Sequence, residues 1–152
     1  MKTLGILAAM TLALASFADE KAIADKIGVD VLATTRTSDL KHFDHATGVR
    51  VGYDLSKRIG AVLEVDGSDF KGSVVENAFA GVKLTFPTGR VSPYLIGGFG
   101  MKFPDKEEYL AGGLGLSVAI TEKVSVFSEA LGEKSKRTST TARFSVGVGY
   151  RF

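Results

Sequence analysis

The sequence contains no cysteine and no tryptophan, and only three prolines in 152 residues. Without cysteine there is no disulfide framework, no thiolate metal site and no cysteine nucleophile. The prolines, Pro87, Pro93 and Pro104, fall at the edges of apolar segments, where a missing ladder donor is tolerated. An excess of one charge sign is also lacking. The 19 basic and 17 acidic residues leave a net charge of +2, and no dense Lys/Arg patch is interleaved with aromatics, so no nucleic-acid partner is expected. Past the N-terminus, no apolar run reaches the ~20 residues that a membrane-spanning helix needs. What the chain does have is 45% apolar residues against 24% charged, which argues for an ordered domain, and 18 glycines, which need a structural reason.

The first stretch, "MKTLGILAAMTLALASFA", is built differently from the rest. Lys2 precedes an apolar run from Leu4 to Ala15, and Ser16-Phe17-Ala18 forms a small-x-small site. This order predicts a removable export signal over residues 1–18 and a mature domain over residues 19–152. Cleavage at Ala15 or Ala24 fits the same pattern.

The mature chain reads as short segments that alternate apolar and polar residues, separated by turn signals. The apolar rows are Ile27, Val29, Val31, Ala33; Val49, Val51, Tyr53, Leu55; Ile59, Ala61, Leu63, Val65; and Ala78, Ala80, Val82, Leu84, Phe86. They continue with Leu95, Phe99, Met101, Phe103; Leu110, Leu114, Leu116, Val118, Ile120; Val124, Val126, Ser128, Ala130; and finally Phe144, Val146, Val148, Tyr150, Phe152. Eight segments of about ten residues match tilted strands crossing a bilayer. The links alternate in kind. Those at 56–58, 87–92 and 121–123 are short, while those at 36–47, 67–75, 104–108 and 132–141 are mostly longer and more charged. The expectation is an all-β fold: an eight-stranded antiparallel up-and-down transmembrane barrel, with short turns on one rim and loops on the other.

Alternation alone does not say which row faces outward. A soluble lipocalin-like carrier would turn the apolar row inward around a ligand. Three features favour the opposite. The polar row carries Asp30, Arg50, Glu64, Lys83, Glu129 and Arg143, balanced in sign, as a buried network requires. Adjacent strands suggest the pairs Asp30–Arg50, Glu64–Lys83 and Glu129–Arg143. The same row holds Gly98, Gly100, Ala111, Gly113 and Gly115, which leave room for long side chains inside a narrow barrel. Aromatics gather near the segment ends: Tyr53, Phe86, Tyr94, Tyr150 and Phe152 at the short-turn rim, and Phe103, Tyr109 and Phe144 toward the other. Interfacial girdles of this kind belong to transmembrane barrels.

The signal-like leader, the alternating segments, "PYLIGGFGMKF" with Gly97, Gly98 and Gly100, and the terminal "GVGYRF" resemble the small outer-membrane β-barrels of Gram-negative bacteria, of the OmpA-barrel and OmpX type. The resemblance implies localisation in the bacterial outer membrane and a lumen filled by salt-bridged side chains. It implies lipid and lipopolysaccharide as surroundings, and a structural role as a monomer, in envelope integrity or surface interaction, without a cofactor. It also implies that Phe144, Val146, Val148, Tyr150 and Phe152 form the signal read by the barrel-assembly machinery.

Other motifs point to no chemistry. "GGFGMK" and "AGGLGLS" lack the Lys-Ser/Thr end and the helix of a phosphate loop. His42, Asp44 and His45 would hold a metal only if their loop folded back, and a solvated loop is the expectation. Lipid A deacylases on similar barrels carry a His-x-Ser-Asn-like stretch, whereas "HAT" at 45–47 lacks the serine and the asparagine. A lipid A-modifying enzyme is therefore the weaker alternative, and no catalytic residue is assigned.

Overall fold

A computed structural model describes residues 26–68, 75–103, 105–135 and 140–152. The expected export signal over residues 1–18 lies outside the described residues. The strands are β1 (Ile27–Thr37), β2 (Asp44–Asp54), β3 (Ile59–Gly67), β4 (Asn77–Thr85), β5 (Val91–Lys102), β6 (Glu107–Ala119), β7 (Val124–Ser135) and β8 (Thr141–Arg151). Each pairs antiparallel with its sequence neighbours, and the sheet closes on itself between β8 and β1. The closing register runs from Gly28↔Arg151 to Thr37↔Ala142, and Phe152 N–H adds a bond to Ile27 O at 3.2 Å. Closure is what allows such a sheet to sit in lipid, because every edge donor and acceptor finds a partner.

Several strands run further than the alternation suggested. β1 reaches Thr37, β2 begins at Asp44, β7 reaches Ser135 and β8 begins at Thr141, so residues first read as loop belong to the wall. Polar side chains hid these extensions, because near the loop rim both rows are hydrophilic.

Two short turns repeat one device. Ser56 Oγ accepts from the N–H groups of Arg58 and Ile59, and Thr121 Oγ1 accepts from those of Lys123 and Val124. A hydroxyl at the start of a turn satisfies backbone donors that the ladder cannot reach. The third turn instead uses Gly89 at φ 94°, a backbone conformation that side-chain-bearing residues rarely adopt.

The apolar row faces outward. Val31, Leu63, Phe99, Leu110, Leu114, Val146 and Val148 are all exposed on the outer wall. A continuous apolar band this large would be untenable in water but suits lipid. A soluble carrier with an apolar interior is thereby excluded. The interior instead has two halves. Val62, Phe79, Tyr94, Ile96, Tyr109, Ala111 and Leu131 pack together on one side, and buried charged side chains fill the other.

Candidate functional site in the barrel lumen

Four strands deliver the central cluster. Arg50, Glu64 and Glu129 point inward from the middle of β2, β3 and β7, Arg143 points inward from near the start of β8, and each is at most 5% exposed. Arg50 Nε and Nη2 donate to Glu64 Oε2 at 2.9 and 2.6 Å, while Nη1 and Nη2 donate to Glu129 at 3.0 and 2.5 Å. Arg143 donates to Glu64 Oε1 at 3.0 Å and to Glu129 Oε1 at 3.4 Å. Each arginine thus touches both glutamates, one from a paired strand and one across the lumen. Tyr94 Oη donates to Glu129 Oε2 at 2.9 Å, and Thr34 and Ser145 share a bond at 2.9 Å beside the cluster.

Toward the loop rim lies a second layer that the sequence reading placed in loops or left out. Arg36 makes a forked pair with Asp66 at 2.9 and 2.8 Å and donates through Nε to Glu133 at 3.2 Å. Asn77 donates to Asp66 at 2.8 Å, and Lys102 Nζ lies 3.6 Å from Glu133. Glu133 Oε1 also lies 3.7 Å from Arg143 Nε, which links the two layers. The signal for these residues was parity. Arg36 shares the row of Leu32 and Thr34, Asp66 that of Glu64, and Glu133 that of Glu129.

Of the expected pairs, Glu129–Arg143 forms. Asp30 and Arg50 are cross-strand partners in register, but the Arg50 guanidinium turns to the two glutamates instead. Glu64 and Lys83 do not meet. Phe79 stands opposite Glu64, and Lys83 lies opposite Gly60, nearer the turn rim.

The inward glycines explain the aromatic arrangement. Tyr94 and Tyr109, first assigned to the girdle, are instead buried inside the barrel at 1% and 2% exposure. Their position near a rim was misleading. Each belongs to the inward row, beside the outward Leu95 and Leu110. Each ring lies over a glycine of the neighbouring strand: a Cβ at Gly115 would come within 2.3 Å of Tyr94, and one at Gly100 within 2.3 Å of Tyr109. Phe127 covers Gly147 of β8 in the same manner, whereas Phe79 lies over Gly81, two residues along its own strand. The room that these glycines provide is therefore filled by rings lying along the wall, rather than by side chains from the opposite wall.

Each ring in turn carries a cation. Arg50 lies 5.2 Å from the Phe127 centroid, Arg143 5.5 Å from Phe79, Lys83 4.1 Å from Tyr94 and Lys102 5.3 Å from Tyr109. The ring faces attract these cations electrostatically, and the effect grows when water is excluded. Glycine, ring and cation form stacked units along the inner wall.

On the outer wall, Tyr53, Phe86, Tyr150 and Phe152 mark the short-turn rim, and Tyr150 and Phe152 meet edge to face at 5.2 Å. Phe103, with Phe43, marks the loop rim. Phe144, Val146, Val148, Tyr150 and Phe152 form one exposed row on β8. His42 of the β1–β2 loop and His45 of β2 are separated by their partners. His42 Nδ1 lies 2.9 Å from Asp39 Oδ2, and His45 Nδ1 lies 3.0 Å from Thr35 Oγ1. Among the described residues, no group of three or more potential metal ligands converges.

Comparison with solved structures supports the shape. The N-terminal β-barrel domain of Pseudomonas aeruginosa OprF is similar at TM-score 0.61 and 17% identity, over 82% of this chain and 97% of that one. Neisserial surface protein A is similar at TM-score 0.60 and 15% identity, over 83% and 96%. A de novo designed transmembrane β-barrel is similar at TM-score 0.61 and 16% identity, over 84% and 96%. At such identities the likeness concerns the fold alone. A search of curated proteins found no match. A model of the outer membrane protein β-barrel domain matches residues 4–152. With nearly the whole chain matched and a closed eight-stranded barrel with an apolar outer wall, the protein belongs to the outer membrane protein β-barrel family and resides in the bacterial outer membrane.

Proposed function

We propose that this barrel is a non-enzymatic structural element of the outer membrane, acting as a monomer whose lumen is closed. The observation that carries the reading is the mutual bridging of Arg50 and Arg143 by Glu64 and Glu129 across the barrel. Side chains that fill an eight-stranded interior leave no aqueous path, which open pores obtain from about 16 strands. The lumenal charges serve packing and do not form a reacting pair with a nucleophile. Lipid contacts the apolar wall, and lipopolysaccharide phosphates meet basic side chains such as Lys106 and Lys134 near the loop rim. The export signal over residues 1–18 delivers the chain, and the outward row of β8 ending at Phe152 is read during assembly.

The test compares cells with and without the protein. The structural role predicts altered sensitivity to detergents with an unchanged lipid A acyl pattern by mass spectrometry. A changed acyl pattern that depends on the protein would overturn the non-enzymatic reading. Deleting Phe152 should lower the amount in the outer membrane while export continues. Normal outer-membrane levels would remove the assembly role.

A further inference from the structure

The short-turn mouth of the barrel differs from the sealed centre. It holds a cavity of about 250 Å³ bounded by the turns at 55–58 and 120–123 and by the adjoining strand ends. Its cations are Lys57, Arg58, Lys83, Lys123 and Arg151, and its acids are Asp54 and Glu122. Asp54 is taken by Arg151 at 2.9 Å. Lys83 projects its ammonium over Tyr94, and among the described residues no carboxylate comes within ion-pair distance of it, although the fields of Asp30, Glu129 and Asp54 reach it. The mouth therefore holds positive charge beyond what its own acids neutralise, in contrast to the balanced clusters above it.

The hydroxyls of the mouth add directed donors. Ser56 Oγ and Thr121 Oγ1 each already accept two backbone N–H bonds, so the O–H of each remains to be donated. Ammonium and guanidinium groups beside hydroxyl donors are the combination that receives phosphate oxygens. We propose that the short-turn mouth is a binding site for a phosphate-bearing anion, with Lys83 as its inner cation and Arg58 and Lys123 at its rim. In an inserted barrel the short turns face the periplasm. The phosphate is supplied there either by a soluble anion or by the headgroup of an inner-leaflet lipid.

The experiment uses the folded barrel in nanodiscs and follows the backbone amide signals of Ser56, Arg58, Thr121 and Lys123 by NMR. One arm adds pyrophosphate to nanodiscs of phosphatidylcholine. The other replaces part of that lipid with phosphatidylglycerol and adds no soluble phosphate. A saturable shift in either arm supports the site, and the arm that responds identifies the source. Lys83→Met keeps the stem over Tyr94 and removes the charge. It should weaken binding by about tenfold, as should Arg58→Gln in the exposed turn. Retention of the folded, SDS-resistant band checks that each variant has assembled, and Arg58→Gln carries the test if Lys83→Met does not fold. The proposal is overturned if neither arm responds, if sodium chloride at equal ionic strength gives the same shifts, or if the folded variants bind as tightly as the parent.

Discussion

Replacing Arg50 by Met removes one guanidinium from the central cluster while keeping much of its bulk. The lost contacts are the bonds to Glu64 at 2.9 and 2.6 Å and to Glu129 at 3.0 and 2.5 Å. Arg143 alone then faces two buried carboxylates. Removing one partner from a buried ion cluster costs about 3–5 kcal/mol, because the remaining charge is left uncompensated. Arg50→Met should lose about that much. Adding Glu129→Gln restores neutrality, pairs Glu64 with Arg143 and leaves an amide oxygen to accept from Tyr94. The double variant should recover ~1 kcal/mol or more relative to Arg50→Met, a coupling within the range seen for residues in one network. The assay is denaturant unfolding in detergent micelles followed by far-ultraviolet circular dichroism, since the chain lacks tryptophan. A loss below ~1 kcal/mol for Arg50→Met, or simple additivity in the double variant, would refute the cluster as the centre of lumen stability.

Gly115→Ala places a Cβ 2.3 Å from the buried Tyr94 ring and should destabilise by about 1–3 kcal/mol. Gly132→Ala meets nothing closer than 4.0 Å and should be nearly neutral, so equal losses in the same unfolding assay would contradict the ring-over-glycine explanation. Leu114→Arg puts a charge on the lipid face and should cost about 2–4 kcal/mol in refolding into bilayers, whereas a negligible cost would argue against that orientation. In the β1–β2 loop, the side-chain bond to His42, with the N–H groups of His42 and Lys41, holds the Asp39 carboxyl below its usual range. A depressed carboxyl contributes loop stability above its unfolded value, and that contribution disappears as pH falls through the folded value. The Lys41 amide signal should therefore show a step below about pH 4 that is absent in Asp39→Asn; a step of the same size in that variant would contradict the bond.

The residues show why some of this was legible and some was not. Side-chain alternation is a local property of a strand, so the inward direction of Arg50, Glu64, Glu129 and Arg143 could be read without a structure. Arg50–Glu64 and Glu129–Arg143 lie on paired strands, but the bridges that join these two pairs depend on reach across the lumen: Arg50 and Glu129 are 79 positions apart and on strands that do not pair. Neighbour pairing therefore suggested Asp30–Arg50 and missed the shared bridging. Nearness to a rim points Tyr94 and Tyr109 to the girdle, but their parity within β5 and β6 places them inside. Arg36 and Glu133 lie at polar strand ends that resemble loops, and Asp66 lies near the end of its strand beside one. The glycines were recognised as room for something large, but the occupants, flat rings carrying cations, appear only once the register is known.

The most direct test of the closed lumen is conductance of the purified, folded protein in a planar bilayer. The bridged arginines and glutamates, with the rings stacked against them, predict no steady current at any moderate voltage. A stable conductance in the nanosiemens range, abolished when the protein is omitted, would contradict the account.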